Sequence, residues 1–456
     1  MDYRKNKTPV LLVAIAFLGL CLQLPFQMLN HLPIQQRVSV GDKLSFDIGL
    51  PKYVEQNLLE YSIKNNEKSI SMIKAESLTP VAATPGQLDV QVKLLGFIPV
   101  RHMTVSVVPE IRVIPGGQAV GVMVESEGVM VVGRSAIVDE QGKRHNPAAE
   151  AGVQLGDTLL KINDQIVETE NQAQELINNM GKDGKALGME FKDRDSHKIY
   201  HTKITPIYCK ETRRYRVGLF VRDSTAGVGT MTFYDPESKS YGALGHIISD
   251  IDTCRPINLS KGKVVGAQIE GIRMGKKGQP GEKMGVFQRG EGIVGNITKN
   301  TNCGIFGKLD KAPENTYMKD AIPVAMANQV KEGPAEIYTV LQGNKIEKYS
   351  ITVEQINLHG RAEGKGMIIQ ITDQNLLKKT GGIIQGMSGS PIIQDGRLIG
   401  AVTHVFVNDP TRGYGVMAEW MLYDSGAFPK HVSERKKAEF DARRNVACLI
   451  NQNLKF

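Results

Sequence analysis

Hydrophobic and polar residues alternate along most of this chain. After residue 35, the segments "QRVSVGDKLSFDIGL" and "DVQVKLLGFIPVRHMTVSVV" place apolar side chains at every second position between Gly and Pro breaks, the period of half-buried strands. The period returns from about residue 206 in "YRVGLFVRD", "GVGTMTFYD", "KVVGAQIEGI", "MGVFQ", "AEIYTVL", "KYSITVEQI" and "GMIIQITD". Many short strands with few helical stretches predict a barrel or sandwich. Two stretches depart from it. From Glu170 to Met180, Ala173, Leu176, Ile177 and Met180 share one face of a helix. At the start, an apolar run extends from Pro9 to Leu22 and on, past Gln23, to Leu29. That is near the ~20 residues that cross a bilayer, and no small-x-small cleavage site follows, so residues 1–30 are expected to form an uncleaved signal-anchor. The basic residues ahead of it predict an inside N-terminus, with the remaining chain outside the cytoplasm.

A chain of 456 residues exceeds one compact core, and its 41% apolar and 23% charged residues are ordinary for globular domains. The 47 glycines fit a strand-and-turn architecture. Net charge is +8, with much of the excess in Arg4, Lys5, Lys7 and the tail "KHVSERKKAEFDARRN", so it reads as membrane- or solvent-facing charge and no nucleic-acid partner is expected. Five scattered cysteines form no CxxC pair, which argues against a zinc site and a dense disulfide framework. The Lys- and Gly-rich "GIRMGKKGQPGEKMG" lacks the order of a phosphate-binding loop and reads as a hairpin connection. No metal or organic cofactor is expected.

In "NPAAEAGVQLGDTLLKINDQIV" a short helix ends at Gly152, a turn passes through Gly156 and Asp157, and a strand follows. This stretch resembles a PDZ domain of the kind attached to bacterial proteases. Such domains add an extended peptide to a sheet edge beside a helix, with loop amides receiving a terminal carboxylate. The resemblance implies a carboxylate loop in "GGQAVGV", with Gly116, Gly117, Val120, Gly121 and Val122, and a groove lined by Ile177 of the helix. The chain's own end, "INQNLKF", is one possible ligand.

The segment "GGIIQGMSGSPII", residues 381–393, sets Ser388 among glycines, and "IIQDGRLIGAVTHVFV" continues it as strand, Asp-Gly turn, strand. A serine entering a β-hairpin is unlike the α/β-hydrolase elbow, which lies between a strand and a helix. It matches the chymotrypsin-like pattern, in which backbone N–H groups, here of Gly386 and Ser388, face a developing oxyanion. A serine hydroxyl also needs a base. His246 in "SYGALGHIISD" fits a His-first, Ser-last order across two half-domains, and His404 and His359 are the fallback bases.

The whole order, with "GALGH" and "GGIIQGMSGSP", resembles the stage IV sporulation protein B family, serine peptidases of endospore-forming bacteria. The resemblance covers nearly the whole chain. It implies catalytic roles for His246 and Ser388 and, in third place, Asp373; a chymotrypsin-type aspartate comes from the histidine-bearing half, so Asp250, Asp252 and Asp310 stay open. It implies a mainly β chain: anchor (1–30), small β region (31–112), PDZ-like domain (113–205), chymotrypsin-like double β-barrel (206–430) and basic tail (431–456). It also implies export from the forespore, tethering to its membrane, self-cleavage, and cleavage of a regulatory subunit of a membrane-embedded metalloprotease complex that activates a sigma factor. The rival readings are a non-catalytic PDZ scaffold and a general envelope quality-control protease.

Overall fold

The computed structural model describes residues 35–41, 59–65, 68–74, 85–94 and 98–427, apart from 251, 258, 289–291, 316 and 359. The expected signal-anchor, the basic tail and His359 lie outside the described residues. No helix among the described residues is long and apolar enough to cross a membrane. The chain divides into two units, 1–111 and 112–456.

The first unit is the expected small β region. Its sheet has the order Gln35–Ser39, Ile98–Val108, Gly86–Leu94, Leu59–Asn65, Lys68–Lys74, in which the first pair is parallel and the others antiparallel. Val90, Val92, Met103, Val105 and Val107 fall at alternate positions of two neighbouring strands and are buried, as period-two patterning requires.

The second unit is organised by two 16-residue strands, Ala119–Arg134 going out and Leu219–Tyr234 returning. They pair antiparallel from Thr230↔Ala119 to Leu219↔Arg134. Each serves two cores. Near the start of the outgoing strand, Val120, Val122 and Val124 pack with Met231, Tyr241, Ala243, Val264 and Ile305. Farther along, Val129 and Val131 pack with Val153, Leu159, Ile162, Ile177, Leu187 and Phe191. The polar run Glu125-Ser126-Glu127 between them is where the outgoing strand leaves the first core. The PDZ-like fold is therefore inserted into a hairpin of the peptidase's first half, so that residues 113–122 belong to the peptidase rather than to the module.

Around the first core, the outgoing strand also pairs with Leu259–Arg273, and the return strand with Ser240–Ala243, which pairs with Gly304–Lys308. This sheet curls without closing, so the expected double barrel is a half-barrel and a barrel. The closed barrel runs Gly333–Val340, Ile346–Ile356, Met367–Ile371, Asp409–Met417, Arg397–Phe406, Pro391–Gln394, and returns to the first. The predicted hairpin turn is present at Asp395 and Gly396, both left-handed at φ 50° and 72°, the conformation of a two-residue turn that matches strand twist.

In the inserted module, Thr169 caps the helix Glu170–Gly181 by accepting from the Gln172 N–H. Asp157 of the Gly-Asp turn is buried and accepts from Gln154 N (2.8 Å), Arg194 N (3.1 Å) and the Tyr200 hydroxyl (2.7 Å). It ties the turn to the loop and strand opposite. Asp157→Ala leaves these donors unpaired, and urea unfolding should show a loss of about 2–4 kcal/mol; a loss under about 0.5 kcal/mol would mean the turn stands without it.

Candidate active site

The nucleophile loop starts from a helix. Asp373 is the N-cap of Gln374–Thr380 and accepts from Asn375 N (2.9 Å) and Leu376 N (3.0 Å), while its second oxygen takes Ser350 N at 3.4 Å. An aspartate directly ahead of a helix satisfies donors the helix cannot. That occupation corrects the expectation that Asp373 orients the catalytic imidazole.

After the helix, the loop carbonyls are fixed one by one. Gln385 O accepts from Lys283 N (2.9 Å), Gly386 O from Thr230 Oγ1 (2.7 Å), Met387 O from Ser390 N (2.9 Å), Ser388 O from Thr230 N (2.9 Å) and Gly389 O from Thr232 Oγ1 (2.8 Å). Because every peptide among the described residues is trans, fixing Gln385 O and Met387 O turns the N–H groups of Gly386 and Ser388 the opposite way. Neither N–H is taken by another of the described residues. Two oriented, unengaged donors beside a serine are what an oxyanion hole requires.

Gly386 and Gly389 have φ of 90° and 92°. At Gly389 a Cβ would also fall 2.0 Å from Thr230 O and 2.5 Å from Leu244 N. Glycine is needed there for both conformation and close approach.

Ser388 is half-buried between buried neighbours, and its hydroxyl donates to Thr403 O at 2.7 Å. His404 follows, its ring centroid 4.9 Å from that of His246. Gly245 lies against Thr403 from the other side, where a Cβ would meet Thr403 Cγ2 at 3.0 Å. Ser388, His246 and His404 thus meet at one corner between the two halves. Leu244, two residues before His246, is left-handed at φ 68°, a strained state for a branched side chain. Its side chain occupies the space above Gly229, where a Cβ would come 2.0 Å from Leu244 Cδ2.

His246 Nδ1 is 2.9 Å from Ile247 O. With Nδ1–H donating there, Nε2 is the acceptor, the tautomer a general base needs. Burial pulls the imidazole below its ordinary pKa, partly offset by that carbonyl. His404 remains open at its edge but is pushed down to about 4 by burial first, then by the charge of His246 and Lys365. Among the open aspartates, Asp250 and Asp252 both bind Arg222, at 2.8 and 2.7 Å, and Asp310 is exposed. The carbonyl of Ile247 thus holds the place expected of a carboxylate.

The peptide-groove residues are elsewhere. Gly116 and Gly117 donate to Thr232 O and Met231 O of the return strand, at 2.8 Å each. Val120 and Val122 are in the half-barrel core, and Gly121 lies under the Phe287 ring. Ile177 is in the module's core. The space between this helix and the outgoing strand is filled by the chain itself. Tyr215 N reaches Asn178 Oδ1 (3.1 Å) near the helix end, and Asp223 Oδ2 accepts from Glu170 N (3.0 Å) at its start. Between them, Leu219 to Arg222 pair with the outgoing strand. A strand-adding ligand would need that place, so the expected "GGQAVGV" groove is not formed.

Thr230, Thr232 and Lys283 were not legible as site residues. The one signal is "TMTFY", two polar residues at strand period in an apolar run; both threonines are fully buried.

A barrel and a half-barrel joined at a serine loop, with a histidine across from it and a PDZ module inserted, define a serine endopeptidase with an accessory domain. Residues 213–422 match the family described as "SpoIVB peptidase S55", and residues 138–184 match "PDZ domain". The chain thus carries the two domains of a SpoIVB-type serine peptidase. Solved structures similar to it include the Rv3671c protease of M. tuberculosis in its inactive form (12% identity, TM-score 0.27, covering 44% of this chain and 84% of that one). Another is human heparin binding protein (10% identity, TM-score 0.21, 40% and 71% covered). A comparison with curated proteins found no significant match.

Gly389→Ala forces a Cβ into the Thr230 carbonyl. Denaturation should show a loss of about 1–3 kcal/mol, together with loss of peptidase turnover. Unchanged stability and turnover would show that the loop relaxes freely.

Proposed function

We propose that this chain is an exported, membrane-tethered serine endopeptidase with Ser388 as nucleophile and His246 as general base, acting in intercompartmental signalling during endospore formation. The observation that carries the chemistry is the pair of unengaged N–H groups at Gly386 and Ser388, placed around a half-buried serine at the His246 corner.

In this reading a rotation about χ1 releases Ser388 Oγ from Thr403 O and brings it to His246 Nε2. Hydrogen bonds of this kind often tighten only when substrate is bound. The hydroxyl attacks the scissile carbonyl as its proton passes to Nε2, and the oxyanion is received by the two N–H groups. The imidazolium then gives the proton to the leaving amine, and water hydrolyses the acyl-enzyme with the same histidine as base. Nδ1–H stays on Ile247 O throughout.

The family name and the resemblance of the whole chain support the finer role. The substrate would be a regulatory subunit of a membrane-embedded metalloprotease complex in the space between forespore and mother-cell membranes, with the peptidase's own N-terminal region as a second substrate. The bond between Ser388 and Thr403 favours the non-catalytic scaffold as the competing reading, because it leaves the hydroxyl turned away from a base.

Ser388→Ala and His246→Ala should each lower peptide cleavage by at least about 10³-fold without loss of folding; wild-type turnover in either would favour the scaffold. Since burial lowers the His246 pKa, the neutral base persists to lower pH, and the acid limb of kcat/KM should have its midpoint below 6.5. A midpoint above 6.5 would place another group there. In an endospore-forming cell, replacement by Ser388→Ala should stop sigma-factor activation; normal activation would withdraw the signalling role and leave the peptidase.

A further inference from the structure

A fully buried lysine ordinarily has a carboxylate partner, because taking its charge out of water is costly. Lys283, on the strand Glu282–Gln288, is 2% exposed, and its Nζ contacts hydroxyls: Thr339 Oγ1 at 2.7 Å and Thr230 Oγ1 at 3.5 Å. On the paired strand Leu259–Arg273, Lys261, Lys263 and Glu270 are exposed to solvent. Glu282 pairs with Arg273, and Glu336, on the strand that carries Thr339, pairs with Lys348 and accepts from Tyr338. The stretches of return strand and nucleophile loop beside it, 228–233 and 381–390, carry no acidic or basic side chain. Beyond the loop stand His246 and His404.

Three parts of Lys283 engage the Gly386 turn. Its N–H holds Gln385 O. Its stem packs on Gly386, where a Cβ would lie 3.0 to 3.2 Å from Lys283 Cβ, Cγ and Cδ. Its amino group meets Thr230, whose hydroxyl holds Gly386 O, and Thr339, which accepts from Ser390 Oγ at 3.0 Å. These contacts surround the peptide that presents the Gly386 N–H.

On the reading of Ser388 as nucleophile, we infer that Lys283 is a positioning residue that sets the oxyanion-binding N–H of Gly386, and that its ammonium form is the competent one. The ammonium supplies three donors to a nest of hydroxyl acceptors, and the neutral amine two. Burial pulls the amine down from 10.5 to about 7, so the competent form declines as pH rises through about 7. Below that value folded and unfolded chains both hold the proton. Between about 7 and 10.5 only the unfolded chain holds it, so stability contributed through this group rises with pH across that window.

The test uses the full chain, Lys283→Met and Thr339→Val, with kcat/KM on a short peptide from pH 5 to 9 and urea stability from pH 7 to 10.5. Wild type should show an alkaline limb near 7. Lys283→Met should lose that limb, with kcat about 10- to 100-fold lower, less than the ~10²–10³-fold of a donor removed outright because the Gly386 N–H itself stays, and KM within about twofold. Thr339→Val keeps the lysine and should move the limb to lower pH, which serves if Lys283→Met does not fold. The stability of wild type relative to Lys283→Met should rise with pH. Wild-type kcat and an unchanged limb in Lys283→Met, or a stability difference flat with pH, would overturn the inference. If wild type shows no Ser388-dependent turnover, the peptidase reading fails, and the stability measurement still decides whether Lys283 titrates.

Discussion

The site depends on one constraint: a loop of the closed barrel is held by a strand of the half-barrel. Thr230 and Thr232 sit on the return strand Leu219–Tyr234, and between them they bind the carbonyls of Gly386, Ser388 and Gly389. A buried carbonyl without a donor costs about 1–3 kcal/mol, so the loop has little freedom once the halves are joined. His246 follows the adjacent strand Ser240–Ala243. The serine and its base therefore come into register only when both halves are folded and docked.

The same return strand begins inside the PDZ-like module. Leu219 to Arg222 fill the space beside the helix Glu170–Gly181, and Thr230 reaches the nucleophile loop eight residues beyond Arg222. The module is thus a continuation of the peptidase's own strands rather than a unit on a flexible linker. A β-bulge falls between Arg222 and Ser224, where the strand passes from one core to the other, as bulges do where a strand must re-aim its side chains.

What could be read in the sequence was what local chemistry dictates. Period-two patterning located the strands, the apolar face located the module's helix, and "GMSGSP" before a strand–turn–strand located the nucleophile loop. The rest depended on contacts distant in sequence. "AVGV" is an apolar strand in any context, and nothing local says that it packs with Tyr241 and Ile305 rather than with Ile177. The family resemblance put Asp373 forward as the orienter, but a carboxylate ahead of a helix has nearer donors. Lys283 lay in a loop read only as a connection. Its burial comes from Thr339, 56 residues away along the chain.

The central claim is that the loop around Ser388 is an assembled acyl-transfer site. It is tested most directly by treating the folded full chain with a fluorophosphonate and mapping the adduct by peptide mass spectrometry. The account predicts a single adduct on Ser388, absent after unfolding in urea, because a serine is reactive only while a base and oriented N–H groups surround it. A folded chain that takes no label, or takes it on another residue while Ser388 stays unmodified, would contradict it.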